Sequence, residues 1–152
     1  MSTKLSSVTP ADVLEAAIGQ LSKPDGYTPD TYFARRGTEC FSLETPGPDV
    51  GATCAIGGVE QAIWILTGQI VTEERGEAAF NNRAASKRTT SRLYAEVMSE
   101  LNAVARQHRA LKAARVDPDS PWVCAIEQLT FSAGKRAVLN AFRKALENVR
   151  AS

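Results

Sequence analysis

The segment 52–71 is the most apolar part of this 152-residue chain, and it limits the possible folds more than any other feature. Polar residues and three glycines interrupt it, whereas a membrane-spanning helix needs about 20 predominantly apolar residues. The segment therefore predicts a buried helix over 52–67. Apolar residues surround most of this helix, and Trp64 and Ile65 lie outside its main apolar face. We expect the helix at the centre of the core or at a subunit interface, with Trp64 and Ile65 as candidate interface residues.

Two adjacent glycines, Gly57 and Gly58, lie inside this predicted helix, although glycine lowers helix propensity. We expect them to allow the close approach of another backbone segment. A phosphate-binding loop is the alternative use of such glycines, but the GxxxxGK[ST] pattern is absent from the chain.

Three other segments have helical periodicity. Thr9 is a suitable N-cap for a helix whose apolar stripe runs over 13–21. A second stripe predicts a long helix over 89–115. A third, over 138–149, predicts a closing helix for which Ser132 is the candidate cap.

Two further segments are less regular. Residues 23–51 combine four prolines and four glycines with aromatic residues, which predicts a long ordered loop containing a short helix or a hairpin. Residues 122–131 are compatible with a short strand and with a helix. We therefore predict a single mainly α domain over 1–152, with four to five helices around the 52–67 helix.

The net charge of +1 hides an uneven distribution of charge along the chain. Residues 1–82 hold 5 basic and 11 acidic residues, for a net charge of −6, whereas residues 83–152 hold 13 basic and 6 acidic residues, for a net charge of +7. Much of the basic excess lies opposite the apolar stripe of the predicted 89–115 helix. The candidate binding residues on this basic face are Arg88, Arg92, Arg106, Arg109 and Lys112.

The basic face has three interpretations. It is a solvated helix surface, a surface that follows a nucleic-acid backbone, or a surface that meets an acidic protein segment. The acidic segment would belong to a partner or to the chain's own N-terminal half. The face has no interleaved aromatic residues and no helix-turn-helix signature accompanies it, which disfavours nucleic acid.

Cys54 and His108 are the two candidates for catalysis. His108 is the only histidine and falls inside the apolar stripe of the 89–115 helix, so a general base there would need a partner from another segment. Cys54 lies near the start of the 52–67 helix, where a helix N-terminus can lower a thiol pKa, but nothing in the sequence marks a base beside it. No catalytic constellation is predicted.

The three cysteines and His108 also form the residue inventory of a zinc site. Structural zinc ligands usually come in close pairs, whereas the nearest two cysteines, Cys40 and Cys54, are 14 residues apart. We therefore predict reduced thiols, no metal site and no cofactor.

The run Cys54-Ala55-Ile56-Gly57, which opens a helix after a loop containing Tyr and Phe, resembles a small family from actinobacteria and their phages that carries a domain of unknown function. The C-terminal run 134–146 resembles the closing helix of that family. The family places a Trp-Asn-Asp stretch before this helix, where the present sequence has Gln128-Leu129-Thr130-Phe131. The resemblance implies a mainly helical intracellular protein, plausibly encoded by a phage, and it supplies no catalytic residues.

These observations favour a non-enzymatic interaction protein of the cytoplasm, such as a phage accessory factor that binds a host protein or self-associates. The first alternative is a nucleic-acid-binding protein that uses the basic face of the 89–115 helix. The second is a small enzyme that uses Cys54 or His108. No apolar segment resembles a signal peptide or a membrane span, so no membrane partner is expected.

Overall fold

The computed structural model describes residues 7–37, 43–71, 89–113 and 124–152. These ranges form a mainly helical structure, as the sequence predicts, and they also contain one small antiparallel sheet. No helix in the four ranges combines the length and apolar character needed to cross a membrane. In chain order the elements are α1 (Pro10–Ser22), β1 (Ala34–Arg35), β2 (Val50–Ala52), α2 (Ala55–Thr67), α3 (Thr89–Arg106), α4 (Arg109–Ala113) and α5 (Ala125–Ala151).

Helix α1 begins with a reciprocal capping box. The Thr9 hydroxyl accepts a hydrogen bond from the Asp12 N–H at 3.3 Å, and the Asp12 carboxylate accepts one from the Thr9 N–H at 2.9 Å. Both bonds satisfy backbone donors that the first turn leaves unpaired. The stripe predicted over 13–21 faces the core, with Leu14 and Leu21 fully buried. This helix is confirmed as predicted.

Helix α2 is the central helix of the core. All nine residues from 55 to 63 are buried, including Glu60, which is only 1% exposed. The helix packs against α1, α3 and α5. It begins three residues later than predicted, because Val50–Ala52 form strand β2. Gly68 ends it in a left-handed conformation (φ 72°), from which its N–H donates to the Trp64 carbonyl at 2.7 Å.

The glycine pair in α2 has the role that the sequence predicts. A Cβ at Gly57 would overlap the backbone carbonyl oxygen of Tyr32. A Cβ at Gly58 would lie 3.3 Å from the side chain of Leu21 in α1. The first glycine therefore admits a neighbouring backbone, and the second admits a neighbouring helix.

The loop predicted over 23–51 is ordered in its described parts and contains the short β1–β2 pairing. Ala34 pairs with Ala52, at the end of the loop. Two buried glutamines, Gln20 in α1 and Gln61 in α2, form hydrogen bonds with the loop backbone. The Gln20 amide donates to the carbonyls of Gly26 and Gly51, both at 3.2 Å. Residues 38–42 of the predicted loop lie outside the described ranges.

The single helix predicted over 89–115 is wrong, because α3 ends at Arg106 and α4 begins at Arg109. The N–H groups of Gln107 and His108 bond back three residues instead of four, which tightens the chain into a turn. The His108 imidazole Nδ1 then accepts the N–H of Ala110 at 3.0 Å and caps the new helix. Residues 114 and 115 of the predicted helix lie outside the described ranges.

The strand alternative for 122–131 is also wrong over its described part, because Ala125–Ala151 are helical. The Asn102 side-chain carbonyl accepts the Ile126 N–H at 3.0 Å and so satisfies a donor in the first turn of α5. The helical span is divided by a kink at Gly134, whose φ of 81° is not helical. Ser132, the predicted cap, lies in the part before the kink, and the predicted closing helix over 138–149 is the part after it. Residues 122 and 123 lie outside the described ranges.

Candidate functional site

Cys54 is the N-cap of α2, but its surroundings suppress thiolate formation. Its Sγ accepts a weak hydrogen bond from the Gly57 N–H at 3.4 Å. The pKa of the Cys54 thiol is raised from 9.0 to about 11, chiefly by burial and in smaller part by the negative charges of Glu127 and Glu60. The bond from Gly57 opposes this rise without cancelling it. Nucleophilic cysteines have a lowered pKa, whereas the raised pKa keeps Cys54 as the neutral thiol at neutral pH.

The raised pKa of Cys54 predicts a pH dependence of stability. The unfolded chain loses this thiol proton near pH 9.0, whereas the folded protein keeps it until about pH 11. The unfolded state therefore binds fewer protons in this range, and stability falls as the pH rises from 9 to 11. We expect urea unfolding to show that the free energy of unfolding falls less between pH 9 and 11 in Cys54→Ser than in the wild type. Serine keeps a capping group at this position. If the free energy of unfolding falls equally in the wild type and in Cys54→Ser, the raised pKa of the buried thiol is contradicted.

His108 and Cys54 do not form a catalytic pair in the structure. His108 is half-buried and lines a shallow cleft of about 210 Å³ between α3 and α5, of which Cys54 is no part. Cys54 instead lines a crevice of about 10 Å³ beside Phe131. A nucleophile and its base must lie within hydrogen-bond reach of each other. The two residues therefore occupy separate places, and Nδ1 of His108 is already used by the cap of α4.

Among the described residues, Cys54, Cys124 and His108 do not come together as a cluster of metal ligands. Cys54 and Cys124 are free thiols, and the Cys124 thiol donates a weak hydrogen bond to the side-chain oxygen of Asn102 at 3.6 Å. Within the described ranges, no three His, Cys, Asp or Glu side chains are arranged to hold a metal ion. Cys40 lies outside those ranges.

The candidate basic residues that can be placed are all exposed, but they do not form a continuous stripe. Arg92 lies near the start of α3, and Arg106, Arg109 and Lys112 lie at its end and in α4. About 21 Å of helix separates Arg92 from Arg106. Two acidic side chains, at positions 96 and 100, lie in that interval. Arg88 is outside the described ranges. The structure thus brings together three of the five candidates.

The candidate interface residues Trp64 and Ile65 lie at the C-terminal end of α2. Trp64 is half-buried, and Ile65 is 48% exposed on an otherwise buried helix. Beyond the helix cap, Ile70 is 40% exposed. Three large apolar side chains within seven residues therefore reach the surface in this part of the chain.

The 210 Å³ cleft contains residues that sequence reasoning missed. Gln107 and Asn140 lie on it beside His108. The cleft forms where the end of α3 crosses α5, so residues about 30 positions apart in the chain line one surface. In the sequence, the basic residues over 135–144 could have indicated this surface, because they have the same positive charge as those of α4.

Comparison of the chain with models of protein families, with curated proteins and with solved structures finds no match. The resemblance to the actinobacterial and actinophage family stays a prediction.

Proposed function

We propose that this protein is a non-enzymatic interaction protein that binds another protein or a second copy of itself. The observation that carries the proposal is the exposure of Ile65 and Ile70, beside the half-buried Trp64, within seven residues at the end of α2. Large apolar side chains grouped on a surface are typical of protein interaction sites. The chemistry of Cys54 and His108 supports the same proposal, since the thiol is suppressed and the imidazole caps a helix.

The proposal includes a cytoplasmic location and the role of a phage accessory factor that acts on a host protein. The free thiols of Cys54 and Cys124 support a reducing compartment. The phage origin rests on the resemblance of the Cys54–Gly57 run and the closing helix.

The α2 surface makes a testable prediction. Ile65→Lys places a charge among Trp64 and Ile70, so we expect it to abolish self-association detected by light scattering, or retention of a host protein on an affinity column. Ala103→Lys is the matched control, because it introduces the same side chain at an exposed helical position of α3. The proposal is contradicted if the wild type is monomeric by light scattering and its affinity column retains the same host proteins as a column of Ile65→Lys.

Nucleic-acid binding is the second candidate, favoured by the exposure of Arg106, Arg109 and Lys112. These three residues follow one another without an intervening acidic residue. Its test is a titration with duplex DNA, in which the affinity would fall steeply with salt concentration as counterions are released.

A further inference from the structure

The cleft between the end of α3 and α5 has an apolar floor and a polar rim. The floor consists of aliphatic side chains, and the rim of side chains with hydrogen-bonding groups. Its volume of about 210 Å³ is smaller than that of a typical small-molecule site, about 300 Å³ or more, and suits a single side chain. The floor residues are Val104, Leu129, Ala137 and Ala141, and the rim residues are Gln107, His108 and Asn140.

The rim offers hydrogen-bonding groups to a partner. The side-chain amides of Gln107 and Asn140 are exposed, and neither bonds to any part of the chain that the structure describes. Because the Nδ1 of His108 accepts the Ala110 N–H, Nε2 carries the proton of the neutral ring and is a donor. An amide pairs with both the N–H and the C=O of an extended peptide, so the rim suits a peptide backbone.

Two of the chain stretches that line the cleft carry basic residues and no acidic ones. Residues 104–113 and 135–144 contain no Asp or Glu. The nearest acidic residues along the same helices are Glu100 and Glu127, both half-buried, and Glu147, which pairs with Lys144 at 3.8 Å. Complementary charge steers and fixes an oppositely charged partner. The basic residues of the two stretches are Arg106, Arg109, Lys112, Lys135, Arg136, Arg143 and Lys144.

We propose that this cleft is the docking site for an acidic peptide segment of a partner protein, anchored by one apolar side chain on the aliphatic floor. The inference rests on the proposed interaction function and names the chemistry of the partner. Nucleic acid suits the cleft less well, because single-stranded bases stack on large aromatic side chains and none of the seven lining residues is Phe, Tyr or Trp.

The experiment measures fluorescence polarisation of a labelled peptide of Asp and Glu with one central Leu, titrated with the full chain. Asn140→Glu places a negative charge on the rim, and we expect it to weaken binding about 10-fold or more. Asn148→Glu is the matched control, since it makes the same change at an exposed position of α5 outside the cleft. Replacing the central Leu of the peptide with Ala should weaken binding about 5-fold or more, through loss of the buried anchor.

Three results would overturn the docking site: no binding of the Leu peptide at low salt, equal weakening by Asn140→Glu and Asn148→Glu, or tighter binding of a single-stranded oligonucleotide that Asn140→Glu abolishes. Light scattering and the affinity column, applied to the same proteins, report on the proposed function separately. A protein that associates through α2 but ignores the peptide overturns the docking site alone. Thermal melts of the two variants exclude unfolding as the cause of weakened binding.

Discussion

Replacing Gly57 with alanine is expected to lower the free energy of unfolding by about 3 kcal/mol or more, because overpacking against rigid backbone is costly. The added Cβ would overlap the carbonyl oxygen of Tyr32 and lie 2.7 Å from its carbonyl carbon. The Tyr32 backbone cannot withdraw easily, since the neighbouring carbonyl of Thr31 accepts the Cys54 N–H at 3.1 Å. Relief of the overlap would therefore separate the loop from the start of α2. Urea unfolding followed by circular dichroism measures the change.

Gly19→Ala is the matched control for this substitution. Gly19 is an exposed residue of α1, and a Cβ there would meet no atom within 4 Å. Alanine has the higher helix propensity, so this variant should gain about 0.5–1 kcal/mol of stability. The two glycine-to-alanine changes should thus have opposite signs. If Gly57→Ala lowers the free energy of unfolding by no more than the amount by which Gly19→Ala changes it, the loop backbone does not approach the helix as described.

The sequence predicts the parts of the fold that local interactions determine. The α1 helix follows from its Thr9 cap and its apolar stripe, which lie within one segment. The burial of α2 follows from its composition, because a helix that is apolar on most sides must be surrounded. The glycines at 57 and 58 indicate a close approach, although the sequence does not say which backbone approaches.

The parts that sequence reasoning missed depend on contacts between distant segments. The start of α5 receives its cap from Asn102, 24 residues earlier, so a signal next to Ala125 was missing. The break after Arg106 depends on a histidine ring that turns back onto the backbone, whereas the periodicity of 89–115 continues through it. The cleft exists only where α3 and α5 cross. Its residues are ordinary in sequence, and only their assembly makes them a candidate site.

The buried amide of Gln61 provides the second large expected effect, because it joins the central helix to the loop. Its Nε2 donates to the Gly47 carbonyl at 2.9 Å, and its Oε1 accepts the Gly47 N–H at 3.0 Å. Gln61 is 4% exposed, so these two bonds replace the hydration of its amide. Loss of the amide leaves the half-buried Gly47 N–H without this partner, whereas the Gly47 carbonyl still accepts the Val50 N–H at 3.4 Å. An unsatisfied buried group costs about 1–3 kcal/mol.

We therefore expect Gln61→Ala to lower the free energy of unfolding by about 2–3 kcal/mol, and to speed hydrogen exchange at the Gly47 amide. Gln69→Ala is the matched control, because Gln69 is exposed just beyond α2 and should change stability by less than about 0.5 kcal/mol. Faster exchange at Gly47 with unchanged exchange in α1 would show that the amide orders the loop locally. Unchanged exchange at Gly47 would contradict the paired bonds. The described parts of the loop, 23–37 and 43–51, are thus held by side chains of the core helices, which explains how a segment rich in proline and glycine keeps its position with a single short strand pairing in those parts.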